Sequence, residues 1–232
     1  MIEVRNLSKI FQKDNMEVRV LEDISLTINE GEFVAIMAPS GMGKSTFLNI
    51  LGCLDKPTGG TYTLDGLPVQ GMDDDELSHI RNKKLGFVFQ SFHLLPRMTA
   101  WENVTLPLIY SDSDANMKAK ALEVLNTVGL GDRVGHLPRE LSGGQQQRVA
   151  IARALINDPR IIFADEPTGN LDSTSGQDVM NIFRKLHSEG RTLVVVTHDK
   201  EVAIQTHRII EMKDGKISSD RPTNSGTPEV IQ

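Results

Sequence analysis

The nearly continuous apolar run Glu32-Phe33-Val34-Ala35-Ile36-Met37 feeds directly into Ala38-Pro39-Ser40-Gly41-Met42-Gly43-Lys44-Ser45-Thr46. Phe47, Leu48, Ile50 and Leu51 then recur at helical spacing, so a helix is expected over Lys44 to Leu51. A short run apolar on every residue is a strand buried on both faces, as in a parallel sheet covered by helices. Strand, glycine turn and helix in immediate succession therefore predict an α/β fold. The helix mouth adds a chemical constraint, because its first N–H groups lack intrahelical partners and carry partial positive charge. Such a mouth holds phosphate.

Lys44 and Ser45 at that mouth make the stretch a P-loop. Amides from Gly41 to Thr46 cradle phosphates, the Lys44 ammonium reaches the β- and γ-phosphates, and the Ser45 hydroxyl ligates magnesium. Ser40, Gly41, Met42, Gly43, Lys44, Ser45 and Thr46 are the candidate nucleotide residues. The usual pattern opens on glycine where this chain has Ala38, which fits only at negative φ with room for its Cβ. Leu141-Ser142-Gly143-Gly144-Gln145 places a second Ser-Gly pair before a helix, without the lysine and hydroxyl. The chain thus carries one complete nucleotide loop and one spare half-site.

Other chemistry gathers where apolar strands end. Asp165 and Glu166 follow Ile161 to Ala164, and one carboxylate can hold magnesium through water while its neighbour accepts a proton from an attacking water. His198 follows Leu193 to Val196 and can bond a γ-phosphate; the other five of the six histidines have no such placement. Gln90, after Leu85 to Phe89, is a neutral group able to touch both metal and water.

Elsewhere, alternation over Ile2 to Leu7 and Val18 to Ile28 predicts an antiparallel sheet, with Gln12 to Glu17 as its turn. Thr61 to Leu64 is a further strand, and Asp73 to Glu76 opens a helix. Strand signals vanish from about Thr99 to Asn157, where Ala119, Leu122, Leu125 and Val128 are spaced as one helix face. Ser173 to Leu186 reads as a helix capped by Ser or Asp, and the polar stretch 219–232 as a loose tail. A net charge of −6 argues against nucleic acid as a partner. The single cysteine, Cys53, excludes an internal disulfide and reads as a small buried hydrophobe. Met1 to Asn6 lacks a signal-peptide core, and no run reaches the ~18 apolar residues of a membrane helix.

Together these motifs resemble the ABC-type ATPases, over nearly the whole chain to about residue 218. The resemblance implies a P-loop ATPase core with a mostly parallel sheet, an N-terminal antiparallel β subdomain and an inserted α-helical subdomain. Residues 1–218 would be one domain, with core 1–90 and 158–218 and helical part 91–157. Leu141, Ser142, Gly143, Gly144 and Gln145 match the family signature, Gln90 resembles its Q-loop glutamine, Asp172 its D-loop aspartate and His198 its switch histidine. Phe11 falls where the family places an aromatic ring against adenine. The resemblance makes Glu166 the base, with His198 and Gln90 beside it, and puts Ser45, Gln90 and Asp165 on magnesium. ATP and magnesium are the expected ligands. Two copies would face head to tail, Ser142 and Gly144 acting on the partner's γ-phosphate.

Asn49 to Asp55, Phe92-His93-Leu94-Leu95-Pro96 and Ala164 to Asp172 resemble the macrolide-exporter and lipoprotein-release class. That class implies an FtsX-like permease partner moving lipoprotein, peptide or drug, and a place at the cytoplasmic face of the inner or plasma membrane. Phe92 to Pro96, with Met98 and Trp101 at its rim, would form the groove that receives the permease, some of these side chains packing inward. A soluble ABC ATPase not coupled to transport is the rival, but its long coiled-coil insertions or paired cassettes are absent from this sequence. A P-loop kinase or GTPase leaves Leu141 to Gln145 and His198 unexplained.

Overall fold

A computed structural model describes residues 1–13, 16–39, 41–110 and 116–223. In chain order its first elements are β1 (Ile2–Lys13), β2 (Met16–Ile28), β3 (Phe33–Met37), α1 (Lys44–Leu51), β4 (Gly59–Leu64), β5 (Leu67–Pro68), α2 (Asp74–Lys84) and β6 (Leu85–Phe89). There follow α3 (Ala100–Thr105), α4 (Met117–Thr127), α5 (Gly143–Leu155), β7 (Ile161–Asp165) and α6 (Ser173–Ser188). The last are β8 (Thr192–Thr197), α7 (Lys200–Ala203), β9 (Arg208–Lys213) and β10 (Lys216–Pro222). Residues 1–79 with 190–232 form one compact unit and 80–189 a second.

The first unit contains an antiparallel sheet in the order β2-β1-β4-β5. The expected turn at Gln12 to Glu17 is shorter than the pattern suggested, because Gln12 pairs with Glu17 and Lys13 with Met16 inside the ladder. In the same unit β3 runs parallel to both β8 and β9, and β10 closes antiparallel on β9. Phe33 to Ile36 are buried and every residue of β8 is buried, as a strand covered on both faces requires. Ser219 to Pro222, expected as the start of a tail, complete β10. Arg208 fastens that strand. It donates Nε and Nη2 to the two Asp220 carboxylate oxygens, both at 2.7 Å, and Nη1 to Glu32 at 2.7 Å and the Thr27 carbonyl at 2.9 Å. A bidentate fork of this kind outweighs the polar composition from which a tail was expected. Residues 224–232 lie outside the described residues.

In the second unit β6 and β7 pair in parallel, and α3, α4, α5 and α6 belong with them. The helical segment 91–157 therefore groups with two strands and α6, which differs from the expected division. Gly86 gives the reason: a Cβ there would lie 2.7 Å from the Ala154 carbonyl, so α5 rests directly on β6. The buried face of α4 is Ala121 and Leu125, followed by Val128; Ala119 and Leu122 are exposed. Two of the four expected positions, Leu125 and Val128, lie on the real face. Cys53 is buried.

Candidate nucleotide site

The first unit presents the phosphate loop. Met37, the last residue of β3, is in register with Thr197, the last residue of β8. The loop after Met37 and His198 after Thr197 consequently leave one sheet edge side by side, where α/β sheets bind their ligands. Gly43 caps α1 with φ 87°, a left-handed conformation that favours glycine. A Cβ there would also meet Leu21 Cδ2 and the Val20 carbonyl, both at 2.9 Å. Ala38 has no positive φ and is buried, so it meets the condition its departure from glycine imposed. Its carbonyl accepts the Lys44 ammonium at 2.6 Å, and Lys44 is itself buried at the helix mouth. Gly41 and Ser45 are exposed, and Met42 and Thr46 half-buried. Ser40 lies outside the described residues. Phe11, on β1 opposite Val18, is 42 % exposed.

The second unit presents the acidic edge. Phe89 and Asp165 end β6 and β7 in register, which sets Gln90 beside Asp165-Glu166. Glu166 has φ 46°, an unusual backbone for a glutamate, and strain of this kind concentrates at functional sites. The turn after it is held from within: Gly169 N–H donates to the Glu166 carbonyl at 3.0 Å, and buried Gln147 of α5 donates to the Pro167 carbonyl at 2.6 Å. Gln90 and Asn170 bond reciprocally. The Gln90 amide nitrogen donates to Asn170 Oδ1 at 3.2 Å, and the Asn170 amide nitrogen to the Gln90 carbonyl at 3.1 Å. A Cβ at Gly169 would lie 2.7 Å from Gln90 Nε2, so a larger residue there would displace the Gln90 side chain from this arrangement.

The signature stretch caps α5 in the same unit. Ser142 Oγ accepts from Gln145 N–H at 3.3 Å while Gln145 Oε1 accepts from Ser142 N–H at 2.9 Å, a reciprocal capping box. Leu141 is buried, and Ser142 and Gly143 are exposed ahead of α5. Gly144 is buried against α6, where a Cβ would meet Ser175 Oγ at 2.7 Å and Ser175 Cβ at 2.8 Å. Asp172 is the cap of α6, accepting from Ser175 N–H at 2.9 Å and from its hydroxyl at 2.7 Å. These two bonds, the backbone one first, hold the Asp172 carboxyl below the usual carboxylate range.

None of Phe92 to Pro96 is buried, which corrects the expected inward packing: Phe92 and Leu94 are half-exposed and His93, Leu95 and Pro96 exposed. Yet the segment is pinned. Arg153 of α5 donates to the His93 carbonyl at 2.5 Å and the Phe92 carbonyl at 2.7 Å, and both residues have positive φ, 48° and 57°. Burial pushes the Arg153 guanidinium pKa down. Fully buried Asn103 accepts from Leu95 N–H at 2.7 Å and donates to the Leu95 carbonyl at 3.2 Å. Arg153, Asn103 and Gln147 were missed as site residues, and Asn170 was read only as part of the D-loop stretch Asn170-Leu171-Asp172. The clue for Arg153 was a lone cation in the small apolar run Val149 to Leu155.

The sequence profile of the family described as ABC transporter matches residues 21–169. The chain belongs to the ABC transporter family. It is 54 % identical to a macrolide export ATP-binding/permease protein, MacB, of Bdellovibrio bacteriovorus, over 95 % of this chain and 34 % of that protein. It thus spans about a third of the length of this relative. An uncharacterized ABC transporter ATP-binding protein, YvrO, of Bacillus subtilis is 51 % identical over 95 % of this chain and 96 % of its own length. A dimeric structure of MJ0796, a bacterial ABC transporter cassette, superposes with a TM-score of 0.88 at 50 % identity, covering 96 % of this chain and 98 % of that one. The same cassette is known as a dimer in a post-hydrolysis state bound to ADP and Pi, with TM-score 0.88 and 48 % identity. The fold is that of the ABC ATPase cassette. Among the described residues no helix of the ABC chain is long and apolar enough to cross a membrane.

Proposed function

We propose that this chain binds ATP with magnesium, closes head to tail with a second copy, and hydrolyses ATP to drive a membrane permease of the FtsX-like class. The observation that carries the reading is the loop from Ala38 into α1, with left-handed Gly43 and buried Lys44, in a chain whose α5 begins on an exposed Ser142-Gly143. Backbone amides and the Lys44 ammonium take the triphosphate, and the Phe11 ring takes the adenine. Ser142 and Gly144 of one copy supply the second helix mouth to the partner's γ-phosphate. ATP thereby joins two chains, and losing its γ-phosphate releases them.

The donor set for magnesium fits: a hydroxyl from exposed Ser45, a carboxylate from Asp165 and an amide oxygen from Gln90 are hard oxygen ligands. Bound there, the ion would neutralise phosphate charge. Glu166 accepts the proton of the attacking water, and His198 bonds the γ-phosphate. The permease reading rests on Leu95, an exposed leucine on backbone fixed by Asn103, next to a loop that begins at Gln90. A cytoplasmic position at the inner face of a membrane follows from such a partner.

The test is Glu166→Gln. ATP binding should persist, phosphate release should fall at least about 100-fold as for loss of a general base, and size-exclusion chromatography with ATP should show a dimer. A variant that turns over ATP at the wild-type rate, or stays monomeric at saturating ATP, would refute the reading.

A further inference from the structure

Lys9 is buried on β1, two residues before Phe11. Its ammonium donates to Asp55 Oδ1 at 2.6 Å and to the Lys56 carbonyl at 2.7 Å, and sits 4.9 Å from the centre of the Phe11 ring. Asp55 follows α1, and its N–H donates to the Asn49 carbonyl of that helix at 3.1 Å. One cation therefore joins the far end of the phosphate-binding helix to the aromatic ring.

Stability alone gives little reason for an ammonium here. Asp55 stays a third exposed, and an ion pair open to water on one side adds little. The ring is what remains to benefit. A cation on one face of an aromatic ring is attracted by its quadrupole and fixes its orientation. It also draws electron density away from the opposite face, which then stacks better on an electron-rich base.

We infer that Lys9 is a positioning residue for nucleobase recognition, the cation behind an adenine platform formed by Phe11. This rests on the reading of Phe11 as that platform. Among the described residues the Lys9 ammonium bonds Asp55 and Lys56 and faces the ring. Its effect is confined to the base, so it contributes to binding of a purine nucleotide and nothing to a bare triphosphate.

The experiment compares affinities for magnesium ATP and for magnesium tripolyphosphate, which has no base. Lys9→Met should weaken ATP about 3–10-fold, the range of a partly desolvated cation–π contact, with tripolyphosphate unchanged. Phe11→Leu should weaken ATP, and adding Lys9→Met to it should cost nothing further. If Lys9→Met weakens both ligands equally, Lys9 acts by placing α1 and the inference fails. If Phe11→Leu leaves ATP affinity unchanged, the platform reading fails instead. Should Lys9→Met not fold, Lys9→Arg and Lys9→Gln are compared alike: Arg should keep the ATP-to-tripolyphosphate ratio and Gln lose it. Equal ratios in the two variants would overturn the inference.

Discussion

Arg153→Met tests how much of the fixed shape of the exposed loop after Gln90 depends on Arg153. Methionine keeps most of the length and apolar contact of arginine and removes both bonds to Phe92 and His93. The Phe92 carbonyl is part-buried, so losing a charged donor there costs about 1.5–2 kcal/mol; the His93 carbonyl is exposed and water replaces most of the loss, leaving about 0.5 kcal/mol. Arg153 also lies in the last turn of α5, where a cation adds about 0.3–0.5 kcal/mol against the helix dipole. The desolvation that lowers the Arg153 pKa is recovered on substitution and offsets part of this. A net loss of about 2 kcal/mol remains, which for a chain of this length is a fall in Tm of about 4–8 °C. Thermal unfolding measures it, and amide exchange of Leu94 and Leu95 should rise more than that of β7. Because the two pinned residues have positive φ, His93→Gly should recover part of the loss in the Arg153→Met background. A fall in Tm below 1 °C, or exchange rising equally everywhere, would refute the clamp.

Gly144→Ala should destabilise the chain by about 1–3 kcal/mol through overpacking against Ser175, and Ser175→Gly should relieve it in thermal unfolding of the double variant. On the proposed permease reading, Leu95→Asp should weaken co-purification with an FtsX-like permease about 30-fold, as for the loss of an interface contact worth ~2 kcal/mol, while basal ATP turnover of the chain persists. Asp172 has its folded pKa depressed, so its cap stabilises α6 at and above the ordinary aspartate value of about 3.9. That contribution is lost as pH falls through the depressed folded value. An NMR titration should place the Asp172 midpoint below about 3.9, the unperturbed value, and Ser175→Ala should raise it; an unchanged midpoint would count against the cap.

The parts of the site that sit in consecutive residues were legible in the sequence. Phe33 to Met37, Gly43, Lys44 and Ser45 announce themselves because one strand, one turn and one helix start follow each other without a gap. Asp165 and Glu166 were legible for the same reason. Contacts between distant residues were not. Nothing local predicts that Asn170 bonds Gln90, that Arg153 reaches back to Phe92, or that Gly144 is glycine because α6 lies against it. The misplaced face of α4 has a related origin: Ala119, Leu122, Leu125 and Val128 fit a helical period as well as Ala121, Leu125 and Val128 do, and only the neighbours of the helix decide between them. Strand β10 escaped notice because its polar residues read as a tail, whereas what orders it is the antiparallel ladder to β9 and the Arg208 fork on Asp220.

On the proposed reading Ser142 answers to two demands at once. Its oxygen accepts from the α5 backbone, so only its proton remains to offer an incoming phosphate oxygen. Aspartate would cap the helix equally well but brings negative charge and no hydrogen to give. On that reading the usable alphabet at this position is therefore narrower than helix capping alone permits: it shrinks to the hydroxyl side chains, and an aspartate that kept the helix would silence the machine.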